Sequence, residues 1–381
     1  MGSNERSPMR ILFVCPQLPT DGAERQLFWL CRSIDHRRLK VTVVYYEGKD
    51  TPLARAMAEL PIGLVHLDRA RLGTLGFLRS LRRLILSLRP DVLVCRLPSG
   101  YRFGRLAALW TGVPVVIAEE RTILRCSTLR GLVDRTLNFW TTGWIGNSAA
   151  VAEHVARDLH VPPSRIHVIH NGLDAGEFQA RAPHPRLAEL RGAGRRVVLN
   201  LGRLHKSKNQ QLFLRIGARL VREMPDLVLA ICGEGGLQKD LETSIRQLGL
   251  ADHCLLLGYQ ADMAAVLAGT DLLIQTSDWE GMPNAVMEAM CAGVPVVATD
   301  AGGTREIIRS EEDGGIVVPI GDEEALVRQA RRVLGDTVLR EGLGNRALTR
   351  IERDFSIQAM VRKYENLFIQ LVQQSGRQLS V

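Results

Sequence analysis

Short apolar runs alternate along this chain with longer stretches whose apolar positions recur every three or four residues. The runs read as buried parallel strands and the stretches as crossover helices. In the first half the predicted strands are Arg10–Cys15, Val41–Tyr46, Leu64–Leu67, Val92–Cys95, Val115–Ala118 and Trp144–Gly146. Predicted helices include Glu24–Ile34, Leu75–Leu88 and Ala149–Leu159. A second series follows Asn171-Gly172, with strands at Arg196–Leu201, Val228–Cys232, Cys254–Leu257, Leu272–Gln275 and Val296–Ala298. The pattern predicts two doubly wound α/β units in tandem, joined near residues 171–180. A chain of 381 residues is also too long for one ordinary core.

Such folds bind ligands in the loops at the carboxyl ends of their strands. Glu280 and Glu288 flank Gly281-Met282-Pro283-Asn284-Ala285-Val286-Met287, a loop that opens a helix with Pro283 in its first turn. Free N–H groups near 282–285 favour an anion, and two carboxylates beside them suit hydroxyls, as in a nucleotide sugar. A solvated Glu288 and a Glu280 that only complements the helix dipole are the plainer alternative. Arg203 and Lys208 flank the loop after Leu199-Asn200-Leu201, where two cations can neutralise a diphosphate. Gly22 follows the first strand and would let backbone approach a ligand, or belong to an ordinary turn capped by Asp21. Gly233-Glu234-Gly235-Gly236 looks like a dinucleotide loop, but Gln238 stands where the third glycine belongs. Tyr259 lies in a loop that could rest against a base.

Hydrophobic residues make up 46% and charged residues 24%, as in a soluble globular protein. No apolar run is long enough to span a bilayer and the N-terminus has no apolar signal core. Seven scattered cysteines, without a Cys-x-x-Cys pair, suggest neither zinc nor a disulfide frame and fit a reducing cytoplasm. Charge is uneven: residues 1–172 hold 24 Lys and Arg against 14 Asp and Glu, the remainder 25 against 27. The basic half suggests an anionic partner, with a membrane surface favoured over nucleic acid, for which no motif is present. Leu75–Leu88, apolar at 78, 81, 85 and 88 and basic at 79, 82 and 83, reads as a crossover helix or as a face resting on anionic lipid.

The ordered motifs resemble those of family 4 of the retaining glycosyltransferases. They are Gly22-Ala23-Glu24-Arg25, His170-Asn171-Gly172-Leu173-Asp174, Gly202-Arg203-Leu204 with Lys208, and Gly233-Glu234-Gly235. To these are added Glu280-Gly281-Met282-Pro283-Asn284 through Glu288-Ala289-Met290, Gly293-Val294-Pro295-Val296-Val297-Ala298-Thr299, and Gly302-Gly303 with Glu306. The resemblance implies the GT-B architecture, two Rossmann-like parallel-sheet domains facing a central cleft. It implies an acceptor-binding domain over 1–172, with a helix at 358–381 returning to it, and a donor-binding domain over 173–357. It also implies transfer of a sugar from a nucleoside-diphosphate sugar, with retention and without a metal or other cofactor. Arg203 and Lys208 would then hold the diphosphate, Glu288 the ribose, and Glu280 the transferred sugar. Gly233, Gly281, Met282, Pro283 and Asn284 would line the donor, Tyr259 would touch the base, and Gly22 would approach the diphosphate.

The first half departs from the pattern. Where many relatives carry a histidine, this chain has Glu120 or, shifted by one, Arg121, and Arg96 stands where a histidine pair is common. Three readings stay open: Glu120 acts in place of the histidine, Arg121 holds an acceptor phosphate, or the two form a structural ion pair. The expected acceptor is a glycan or lipid-linked glycan, met in the cytoplasm or at the inner face of the membrane. The rivals are a sugar-nucleotide epimerase or hydrolase and a non-catalytic nucleotide-sugar-binding protein.

Overall fold

A computed structural model describes residues 8–19, 22–123, 128–179 and 181–376. Asp21 and Cys126 lie outside the described residues, as does the end of the expected return helix beyond 376. The described chain up to Gly172, together with the part from Ile357 on, forms one compact unit, and Leu173–Ser356 form another.

The first unit is built on parallel strands β1 (Met9–Cys15), β2 (Leu39–Tyr45), β3 (Gly63–His66), β4 (Val92–Arg96), β5 (Val115–Glu120), β6 (Gly143–Gly146) and β7 (Ile166–Val168). Their spatial order is β3-β2-β1-β4-β5-β6-β7, so the order reverses between β1 and β4. The second unit has β8 (Arg196–Leu201), β9 (Leu227–Cys232), β10 (Cys254–Gly258), β11 (Leu272–Gln275), β12 (Val296–Thr299) and β13 (Gly315–Val318), in the order β10-β9-β8-β11-β12-β13. The two doubly wound parallel sheets are those the apolar pattern predicts. It misses β7 and β13. β7 is three residues long and half-buried, and β13 begins with a glycine, so neither makes a clear apolar run.

Each sheet is covered by helices whose apolar stripes face it. In the second unit Phe213, Leu214 and Ile216 of the helix Gln210–Glu223 join Leu229, Ile231 and Leu272 in one buried cluster. In the first unit Leu12, Val14, Phe77, Leu81, Tyr101 and Trp144 do the same. The stretch Leu75–Leu88 belongs to a longer helix, Arg69–Leu88, interrupted at Gly73. It buries Phe77, Leu81 and Ile85, while Leu78 and Leu88 are only half-buried. This is the crossover helix; the stripe expected on 78, 81, 85 and 88 is displaced because Phe77 takes the place of Leu78. Of its basic residues, Arg82 bonds the carbonyl of Leu109.

The helix Ile357–Gln374 completes the first unit. Phe368 packs edge-on against Phe13 at 6.4 Å, and the buried Tyr364 hydroxyl donates to Glu119 at 3.2 Å. Gln26, buried in the helix Gly22–Ser33, accepts from the Gly172 amide at 2.9 Å and donates to the Gly172 carbonyl at 3.0 Å. One side chain thereby satisfies both backbone groups of the last residue before the chain enters the second unit. Replacing Gln26 by Leu would leave both Gly172 groups without partners, at a cost of about 1–3 kcal/mol each. The expected result is a loss of hydrogen-exchange protection at the Gly172 amide; unchanged protection would refute the role.

Candidate functional site

In the second unit, parallel pairing brings the loops after β8, β9, β10, β11 and β12 to one edge. Backbone hydrogen bonds then tie them together. Gly202 donates to Cys232 at 2.9 Å, Leu204 to Glu234 at 2.9 Å, and Gly233 to Gly258 at 2.8 Å. Asp278 donates to Ser207 at 2.9 Å, and Gly303 to Gly281 at 2.8 Å. Gly233 has a φ of +140°, and a Cβ there would stand 2.1 Å from the Gly202 carbonyl oxygen. Only glycine permits that conformation and that approach together.

Lys208 ends a 3-10 turn, Lys206–Lys208, fixed by Thr276, whose hydroxyl donates to the Lys208 carbonyl at 3.0 Å. Its side-chain stem runs over Gly202, where a Cβ would meet Lys208 Cε at 3.0 Å. The Lys208 ammonium pairs with Glu280 Oε1, and the buried Ser277 hydroxyl donates to the same oxygen at 2.7 Å. Ser277 in turn accepts from Gln275 Nε2 at 3.0 Å. Glu280 is thus oriented by an ammonium and a hydroxyl rather than simply lying beside a helix dipole. Arg203 is exposed on the neighbouring loop, and its carbonyl accepts from Gln210 Nε2 at 2.9 Å.

The helix Asn284–Cys291 follows Glu280, with Pro283 at the capping position instead of the first turn expected. Glu288 is buried, which removes the reading of a solvated residue. Burial first and then the Glu288 charge push the Cys232 thiol up to about 12, so Glu288 stands near the end of β9. Gly281, Met282 and Pro283 are also buried, and Asn284 is half-buried. Tyr259 is exposed, and its amide donates to Glu234 Oε1 at 3.4 Å. This edge therefore holds Arg203, Lys208, Gly233, Tyr259, Glu280 through Asn284, and Glu288. Among the described residues no group of three or more His, Cys, Asp or Glu could hold a metal. The six described cysteines are free and buried.

The first unit carries a buried charge cluster at the ends of β4 and β5. Arg96 pairs with Glu119 through two bonds of 2.9 Å, and Arg121 bonds the same carboxylate at 2.6 Å and also Asn171. Burial works against the Glu119 charge, but Arg96 and Arg121 outweigh it and hold its carboxyl below the ordinary range. Sequence reasoning missed Glu119 and paired Arg121 with Glu120. The structure corrects this, because strand side chains alternate: 119 and 121 share a face and 120 takes the other. Arg96 and Glu119 are moreover direct partners across β4 and β5. Arg96 and Arg121 are thus buried and share the one Glu119 carboxylate. Gly22 is the first residue of the helix after β1.

Glu120 faces Tyr101, whose hydroxyl donates at 3.3 Å, and accepts from the amides of Arg121 at 2.9 Å and Thr122 at 3.2 Å. Burial dominates these bonds and raises its carboxyl from 4.5 to about 7. A carboxyl that holds its proton more tightly folded than unfolded favours the fold at low pH and loses that contribution as pH rises. Glu120→Gln, with the same shape and no charge, should therefore gain relative to the parent as pH rises from 4.5 to 7, by about 3 kcal/mol in all. Urea unfolding at a series of pH values measures it, and a difference independent of pH would refute the raised carboxyl.

Comparison with known proteins defines the class. The family model for glycosyl transferases group 1 matches residues 187–350, and that for glycosyltransferase family 4 matches residues 20–177. Among curated relatives, the UDP-Gal:alpha-D-GlcNAc-diphosphoundecaprenol alpha-1,3-galactosyltransferase of Escherichia coli is 30% identical over 282 residues, covering 71% of this chain and 72% of that protein. An N-acetylgalactosamine-N,N'-diacetylbacillosaminyl-diphospho-undecaprenol 4-alpha-N-acetylgalactosaminyltransferase of Campylobacter jejuni is 29% identical over 205 residues, covering 54% of each chain. The crystal structure of Anabaena HepE in complex with UDP and glucose superimposes with a TM-score of 0.83 at 22% identity, covering 95% of this chain and 99% of that one. That likeness shows the fold, GT-B. The chain belongs to the group 1, family 4 glycosyltransferases.

Proposed function

We propose that this glycosyltransferase moves a hexosyl group from a UDP-sugar to a lipid-linked glycan, with retention and without a metal ion. The observation that carries the donor half is the gathering of Arg203, Lys208, Glu280, Glu288 and the start of the helix Asn284–Cys291 on one edge of a parallel sheet. Family membership and the printed activities of the E. coli and C. jejuni relatives support the donor and acceptor classes.

In this reading Arg203, Lys208 and the amides near Gly281–Asn284 take up the diphosphate charge as the bond between the sugar carbon and the phosphate oxygen breaks. Glu288 accepts the ribose hydroxyls, Glu280 holds the transferred sugar, and Tyr259 lies against the base. The acceptor hydroxyl attacks the face that the diphosphate leaves, and its proton passes to the departing phosphate oxygen. Retention rests on family membership. Lys208 and Ser277 share one oxygen of Glu280, so a sugar hydroxyl would meet the other oxygen of an already oriented carboxylate.

Glu288→Ala should weaken UDP-sugar binding by about 1–3 kcal/mol through lost hydroxyl hydrogen bonds. Calorimetry checks this, and unchanged affinity would refute the ribose role. Arg203→Met should lower both UDP affinity and transfer while leaving the melting temperature of the unliganded protein unchanged; full activity in that variant would move the phosphate site elsewhere. Thermal shift with UDP-, GDP- and ADP-sugars identifies the donor, since a bound donor raises stability by mass action. Transfer to a diphospho-undecaprenol-linked sugar after chelation, with the anomeric configuration read by NMR, then tests the reaction. Donor consumed without acceptor would mark a hydrolase or epimerase, and binding without turnover a non-catalytic protein.

A further inference from the structure

The helix Thr128–Leu137 and the turn Asn138–Trp140 that follows it bury an acid and expose several apolar side chains. Their one acid, Asp134, is fully buried, bonded by Arg102 at 2.9 Å and by Arg105 at 2.8 Å. Four of their apolar side chains face water: Leu132 is 61% exposed, Val133 40%, Phe139 83% and Trp140 49%, while Leu137 is buried. Leu132 and Val133 lie on the helix, Phe139 and Trp140 on the 3-10 turn that ends it, where the two rings meet edge-on at 6.4 Å. Trp110, 81% exposed, stands just beyond the neighbouring helix Leu97–Ala108, whose Arg105 bonds Asn138 Oδ1 at 2.9 Å and so joins the two helix ends.

Charge selects what covers this face. Residues 128–140 present no outward carboxylate, because Asp134 is their only acid. Arg135 points outward, and the exposed Arg165 donates to the Asn138 carbonyl at 3.3 Å. Residues 1–172 as a whole carry 24 Lys and Arg against 14 Asp and Glu. A second copy packed on this face would bring like charges together. A bilayer with anionic headgroups attracts the arginines, and its interface suits tryptophan and phenylalanine.

We propose that Leu132, Val133, Phe139 and Trp140, with Trp110, form a docking face for an anionic membrane surface. The inference deepens the reading of a lipid-linked acceptor by naming the surface that would hold the enzyme beside it. Its test is separate, because vesicle binding can fail while the UDP-sugar thermal shift persists.

The experiment compares the full chain with a Leu132→Ser/Phe139→Ser variant and an Arg135→Glu variant by co-sedimentation with vesicles. One set of vesicles is phosphatidylcholine, the other an equal mixture of phosphatidylcholine and phosphatidylglycerol. The parent should sediment with the mixed vesicles and much less with the neutral ones. The double variant should lose at least about tenfold in partitioning, from the apolar area withdrawn from the bilayer. Arg135→Glu should lose binding to the mixed vesicles alone, and melting temperatures should stay at the parent value. Parent protein that stays in solution, or a double variant that binds like the parent, overturns the proposal. So does a parent that is a dimer in solution and becomes a monomer when Leu132 and Phe139 are replaced, since the face is then a contact between copies.

Discussion

Parallel pairing obliges every strand of a sheet to deliver its carboxyl end to the same edge, and the candidate chemistry of both units depends on that constraint. In the second unit it draws together loops separated by a hundred residues of chain, and backbone hydrogen bonds between them finish the arrangement. The glycines at 202 and 233 have a simple purpose there, since one loop lies almost on top of the other and leaves no room for a Cβ at Gly233. Lys208 then crosses Gly202 to reach Glu280, so loop geometry and charge placement have a single cause.

The same constraint in the first unit gathers buried charges at the strand ends. Arg96, Glu119 and Arg121 meet because the ends of β4 and β5 lie side by side, and Tyr364 adds a hydroxyl from the returning helix. Such a buried cluster is weak evidence for net stability, because desolvating the charges offsets their attraction. Removing one member is another matter, since it strands the remaining charge. The cluster therefore specifies how the strand ends, Asn171 and the return helix fit together more than it adds to stability.

Both sheets were readable in the sequence because buried parallel strands are apolar on both faces and form continuous runs. β7 escaped because it is three residues long and half-buried, and β13 because it opens on a glycine, while the helix stripe at Leu78 was displaced by the larger Phe77 one position away. The residues proposed for the donor side were singled out by the order of motifs, and the sheet places their loops at one edge. Glu119 was legible in principle, since alternation at the end of β5 places it with Arg121 and not with Glu120. The exposure of Leu132, Val133, Phe139 and Trp140 left no such signal, because apolar residues read the same in the sequence whether covered or not.

The returning helix also bears on how the protein is made. All residues of the second unit are consecutive, from Leu173 to Ser356, whereas the first unit needs Ile357–Gln374 to cover Phe13 and satisfy Glu119. On the ribosome, then, the later-synthesised unit has its whole sequence available first. The earlier one must wait with a buried-charge cluster and an aromatic face unsealed, which exposes it to misassembly and to chaperones for longer than its early position in the chain would suggest.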